Sequence, residues 1–364
     1  MNLDHFQSKL AQLDAAATTP SSRIAYAAAH IVVDDEAGTM PNLEATDQLR
    51  RFLDQQGFGI AEAMDTAQRF ELGWKVARTL IERTARLDLK HGFAAGVSAD
   101  HVAPVESLAE LATAVAWQVD FVRECGGLPV ILPMPQLAHV GASADEYVSV
   151  YRHILDQSSG QVLLHWLGPM FLPGLDAYFP GDSFERIMDL DHERIIGIKL
   201  SLLDADREKS IRQALAPHGQ FVYTGDDFNF AALIAGDGQT PGVIEQRGEF
   251  SHALLGIFDA IARPAGVALR LLAHGQRDDY MELMVPCEEL SRVIFENPTR
   301  HYKAGLAYLS WLDGRQDNPW LPQQTHRQRD AKHYALVLDL AFKARVFADP
   351  AAAKVRAEAG PPSC

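Results

Sequence analysis

The sequence predicts an α/β fold, a (β/α)8 barrel with a C-terminal helical extension, on three observations. Eight short apolar runs recur along the first 258 residues, with starts about 26 to 37 residues apart. Amphipathic helical stretches fill the gaps between them, and after residue 260 only helical patterning remains. One strand and one helix need about this length, and eight such units close a barrel. An open doubly wound sheet is the competing architecture, but no run is followed by a phosphate-binding glycine fingerprint.

Taken in order, residues 1–22 read as a helical lead-in, 23–262 as the barrel and 263–364 as the extension. The strand candidates are IAYAAAHIV (24–32), FGIAEAM (58–64), GFAAGV (92–97), PVILPM (129–134), QVLLHWL (161–167), RIIGIKL (194–200), QFVYTG (220–225) and HALLGIF (252–258). Nearly continuous apolar strands belong in a parallel sheet covered on its outer face by helices. Between them, 66–87 and 107–125 carry the helical period, with Phe70, Trp74, Ala77 and Ile81 three or four residues apart. Residues 313–330, polar and proline-containing, read as an exposed loop, and the tail from Pro350 as frayed.

Composition narrows the function. The chain has 364 residues and 33 Lys+Arg against 48 Asp+Glu, a formal net charge of −15. Nucleic acid and anionic membrane surfaces need clustered cations, so neither is an expected partner. No apolar run approaches the ~18 residues of a membrane span. The first twenty residues lack an apolar h-region, which predicts a cytoplasmic protein. Cys125, Cys287 and Cys364 form no CxxC pair, which predicts no disulfide framework. Leu271, Leu272, Leu306, Leu309 and Trp311 exceed what a simple cap needs and suggest a homo-oligomer.

Polar residues at the carboxyl ends of the strands are the candidate site, because barrel enzymes build their chemistry there. In RIIGIKLS, alternation sets Ile196, Ile198 and Leu200 on one face and Gly197, Lys199 and Ser201 on the other. A lysine inside a barrel is either ion-paired, for example with Asp204 or Asp226, or made neutral and nucleophilic by burial. His165 interrupts the fifth strand and is a candidate proton carrier. Asp226 and Asp227 follow Gly225; one of the two can point inward while the other caps the next helix. Glu62, Asp65 and Thr66 close the second run, His30 closes the first, and His252 opens the eighth. His30, Glu62, Asp65, His165, Asp226 and His252 could alternatively hold a divalent metal, although no tight ligand spacing supports it.

The phrases GIK at the end of a sixth strand and GDD at the end of a seventh, with a helical appendage, resemble the dihydrodipicolinate synthase / N-acetylneuraminate lyase superfamily of class I aldolases. GIAEAMDTAQR, LLHWLGPMF, GIKLSLLDADRE, YTGDDFNF and SHALLGIFDAIA resemble more closely an uncharacterised branch of it, the DUF993 group. The superfamily resemblance implies that Lys199 is the Schiff-base lysine and that Gly225, Asp226 and Asp227 are its GDD segment. The superfamily's carboxylate-binding loop would fall on Gly57–Thr66, where its hydroxyl pair is absent, and its tyrosine motif on HWLGP, so that His165 or Trp166 takes the tyrosine's place. Those departures argue against pyruvate as the substrate.

The leading expectation is therefore a lyase or hydratase acting on a keto-acid or sugar-derived carbonyl metabolite without a cofactor. Lys199, His165 and Asp226 would be catalytic, and Glu62, Asp65, Thr66, His30, Trp166, Ser201, Asp227 and His252 would bind substrate. The alternatives are a metal-dependent sugar isomerase, epimerase or lyase, and a non-catalytic metabolite-binding barrel.

Overall fold

Eight parallel strands close on one another in chain order. They are β1 (Ala25–Ala27), β2 (Gly59–Glu62), β3 (Phe93–Val97), β4 (Leu128–Ile131), β5 (Val162–Leu167), β6 (Ile195–Ser201), β7 (Phe221–Thr224) and β8 (His252–Leu255). The computed structural model describes residues 2–17, 19–64, 68–102, 104–238 and 242–361. Each strand falls within a residue or two of an apolar run in the sequence.

The pairing drifts steadily around the barrel. His165 pairs with Lys199, Lys199 with Tyr223 and Tyr223 with His252. Continued through β1 to β4, the same register returns to β5 eight residues before His165, the stagger of a (β/α)8 barrel. Interior side chains therefore stack in layers drawn from alternate strands. Tyr26, Ala94, Leu163 and Tyr223 form the lowest of three, Ala61, Val130, Lys199 and Leu254 the middle one, and Ala28, Gly96, His165 and Gly225 the one nearest the mouth.

Helices cover the outside: α1 (Leu3–Ala16), α2 (Leu43–Gln55), α3 (Trp74–Thr84), α4 (Leu108–Glu124), α5 (Ala144–Gln157), α6 (Ser183–Met188), α7 (Ala205–Leu215), α8 (Phe230–Ala235) and α9 (Phe258–Ala273). Asn42, Ser107, Ser143 and Asp204 each cap the helix they precede by accepting a backbone N–H. The helix expected over 66–87 is broken at Gly73, whose φ of +78° suits glycine alone. Phe70 consequently leaves the apolar face and is 51% exposed. The boundary expected at residue 262 lies one residue past a kink in α9, where Ile261 leaves helical φ/ψ.

The extension comprises α10 (Arg277–Ile294), α11 (Lys303–Leu312), α12 (Ala331–Lys343) and α13 (Pro350–Ala359). The tail expected to fray is thus a helix, capped by Asp349 and anchored by buried Ala353. The loop expected to be exposed also packs down: Gln316, Asn318 and Leu321 are buried. Its polarity is explained by its partners, since Gln316 Nε2 donates to the Ala307 and Asn318 carbonyls and Asn318 Nδ2 to that of Val33. Leu271, Leu272, Leu306, Leu309 and Trp311 are buried in the chain's own core, leaving none of them for a partner copy. No helix among the described residues is long and apolar enough to cross a membrane.

Candidate active site

The site lies in the upper layers of the barrel, around Lys199. This residue is in the second half of β6, 5% exposed, with its side chain running past Gly225 towards the mouth. Its layer-mates Ala61, Val130 and Leu254 are apolar, and the layer above is small except for His165. Gly225 lies against the lysine stem, and Ala28 and Gly96 complete that upper layer. His165 is fully buried and its Nε2 is 3.2 Å from the Ser201 hydroxyl, two residues beyond Lys199 on β6.

Alternation along β7 decides which aspartate faces the lysine. Tyr223 and Gly225 point inward, so Asp227 does too, while Asp226 turns outward. Asp226 accepts the backbone N–H groups of Phe228 and Asn229 and the Asn229 side chain, an Asx-type turn ahead of α8 in place of the catalytic role the sequence predicts. Asp227 accepts the Ile257 amide at 3.2 Å. Burial pushes its carboxyl up to about 7, against the pull of Lys199 and then of Lys303.

Lys303 is a site residue that the sequence reading missed. It opens α11, is 3% exposed and donates from Nζ to the Ala28 carbonyl at 2.6 Å. Burial brings its amine down to about 7, with Asp259 and Asp227 opposing the shift and Arg50 adding to it. Beside it, the Tyr302 ring stacks on Phe295 at 4.2 Å and fills the space over Gly256, where a Cβ would meet it at 2.7 Å. The extension therefore forms the roof of the mouth.

Several expected binding residues are committed elsewhere. His30 Nδ1 is 2.6 Å from Asp259 Oδ2 and its Nε2 is 2.6 Å from Gln316 Oε1. The Gln316 amide nitrogen donates to two carbonyls, which turns its oxygen to the ring. His30 and then Arg315 hold the Asp259 carboxyl well below the carboxylate range despite its burial. His30 is thus a pin between β1, α9 and the 313–330 segment.

Glu62 lies on the outer side of β2. Its two oxygens take Arg50 Nε at 3.0 Å and Nη2 at 3.1 Å, and Thr84 donates to it as well. Arg50 keeps that carboxyl low although burial opposes it. Trp166 also faces outward, packed on Phe179 and Phe184 with the Arg207 guanidinium over its ring. His252 begins β8, three register steps down from His165, among the Phe221, Tyr223 and Phe250 rings. Burial and the nearby Arg23 bring its imidazole down to about 3, so it stays neutral at the closed end of the barrel. Asp65 and Thr66 lie outside the described residues. The described members of the expected metal set, His30, Glu62, His165, Asp226 and His252, are therefore not gathered around one point.

Residues 2–360 match a sequence family described as a protein of unknown function (DUF993). No curated protein matches the chain. Among solved structures it is similar to dihydrodipicolinate synthase from Acinetobacter baumannii complexed with pyruvate, at 15% identity and a TM-score of 0.62 over 90% of this chain and 100% of that one. Dihydrodipicolinate synthase from Aquifex aeolicus is similar at 14% identity and a TM-score of 0.63, over 89% of this chain and 98% of that one. N-acetylneuraminate lyase from Fusobacterium nucleatum complexed with pyruvate is similar at 16% identity and a TM-score of 0.63, over 88% and 97%. At such identities the likeness shows the barrel and leaves the chemistry to the residues described above.

Proposed function

The chain belongs to the DUF993 family, and on that premise we propose that it is a lyase of the lysine Schiff-base class, with Lys199 as the nucleophile. The observation that carries this reading is a lysine in the barrel's middle layer, beneath a layer of small residues and facing an inward aspartate. A buried amine open to a carbonyl compound adds to its carbon. Asp227, poised near neutrality, delivers the proton with which the carbinolamine oxygen leaves as water. The iminium that remains accepts the electron pair of a carbon–carbon bond one atom removed as it breaks, giving an enamine. Where a carbon–oxygen bond breaks, the iminium first acidifies the intervening C–H, and the enamine formed by its deprotonation expels the oxygen with its electron pair. His165, supported by the Ser201 hydroxyl, carries the proton of that second step.

The substrate is a keto acid or a sugar-derived carbonyl compound. No cofactor is needed for these steps, since the lysine itself supplies the electron sink. The resemblance of the fold to aldolases supports this reading at the level of reaction class.

Borohydride reduction of the protein with a panel of keto acids and keto sugars tests it. At least one member should leave a reduced adduct on the peptide containing Lys199. The absence of any adduct, or an adduct on Lys303 alone, would overturn the assignment. Lys303 is the informative competitor because it too is buried and has an amine brought down to about 7.

A further inference from the structure

At the end of the barrel where the strands begin, three metal-ligating side chains converge. Asp189 ends α6, His192 lies in the turn that leads into β6, and His218 lies in the turn that leads into β7. Each histidine stands three residues before its strand, and β6 and β7 are neighbours, so the two rings come side by side at 4.5 Å. His192 Nε2 is 3.1 Å from Asp189 Oδ1, and one ligand atom of each residue lies within 4.8 Å of the other two.

Nitrogen and oxygen ligands at ~2.0 Å from a tetrahedral Zn²⁺ stand about 3.3 Å from each other. The Asp189–His192 edge already has that length. Only the exposed His218 ring must swing inward, a rotamer adjustment at the surface. A second observation concerns the surroundings: Asp189 and His218 stand on the wall of a cleft of about 370 Å³ between α6 and α7, whose other walls include Phe184, Met188, Ile211 and Leu215. A three-ligand ion keeps one coordination position open. Mg²⁺ and Ca²⁺ prefer oxygen, whereas two imidazoles and one carboxylate suit a borderline transition ion.

We infer that Asp189, His192 and His218 bind a divalent transition ion of the Zn²⁺ type, with its open position presented to the cleft between α6 and α7. The site is at the opposite end of the barrel from the Lys199 amine and is independent of the Schiff-base reading.

Calorimetric titration of the chelator-stripped full-length protein with Zn²⁺ at neutral pH tests the site. One ion should bind per chain with a Kd of micromolar or lower. Asp189→Ala, His192→Ala and His218→Ala should each weaken binding by at least about tenfold, while His5→Ala, on α1, should leave it unchanged. Co²⁺ should show the visible bands of a four-coordinate site, lost in His218→Ala. These side chains are exposed, so the variants are expected to fold. Zn²⁺ binding unaffected by both histidine variants, or none below millimolar, overturns the assignment.

Discussion

Lys199 and Gly225 meet across β6 and β7 so closely that a Cβ on residue 225 would stand 2.9 Å from Lys199 Cε, 2.8 Å from the Leu200 carbonyl and 2.2 Å from the Ser201 hydroxyl. The glycine is therefore the passage through which the lysine reaches the mouth. Gly225→Ala forces the amine and the hydroxyl to move together. Steady-state assays should show turnover reduced by more than about tenfold, as displacement of a reacting group by around 1 Å implies. An alanine variant with parental kcat would mean that the lysine does not use this path.

Lys199→Arg separates nucleophile from charge. Arginine keeps the cation and most of the stem, but its guanidinium forms no Schiff base at neutral pH. Activity per folded molecule should vanish while the thermal midpoint stays close to the parent's. Residual turnover above about a tenth, a barrier change under ~1.4 kcal/mol, would make the residue an electrostatic contributor only.

Asp227 and Lys303 leave opposite signatures in stability against pH. Asp227 is raised to about 7, so the folded state holds a proton that the unfolded chain has lost above ~4. Stability therefore falls as pH rises from about 4 to 7 on its account. Lys303 is lowered to about 7, so the unfolded chain holds the extra proton up to ~10.4, and stability rises from about 7 to 10. Asp227→Asn should flatten the first slope and Lys303→Met the second in melting scans across pH. Asp227→Asn should also slow turnover by about 10²-fold or more through loss of the proton carrier. Unchanged slopes would show that neither group is desolvated as described.

Glu62→Gln tests whether that residue serves substrate or scaffold. The change leaves the buried Arg50 guanidinium without its carboxylate, at a cost of about 3–5 kcal/mol. Denaturant titration should show that loss, with activity per folded molecule retained. A large fall in kcat with little loss of stability would instead place Glu62 at the reaction.

The barrel was legible because its strands are continuous apolar runs with an even beat, and Lys199 was legible because a cation interrupts one of them. The neighbouring groups were harder to place. Asp226 and Asp227, like Ala61 and Glu62, differ only in parity, and parity acquires meaning once the register states which face of the strand is inside. His30 and His252 carry no mark that separates a pin or a lower plug from a ligand; only their partners do, and those lie hundreds of residues away along the chain. Lys303 could not be found from strand ends at all, because it descends into the mouth from a helix of the extension. The 313–330 segment looked exposed because its amides are polar, yet their polarity satisfies backbone groups at the barrel's rim.

The contacts that complete the mouth join the two ends of the polypeptide. Ala28 receives Lys303 from 275 residues further on, and His30 receives Gln316 from 286 further on. During synthesis the eight strands can all leave the ribosome before either partner exists. Newly made barrels thus pass through a stage in which Lys199 stands below a mouth that has neither Tyr302 nor Lys303 over it. A chain stopped after β8 would lack every contact that the extension makes with the mouth.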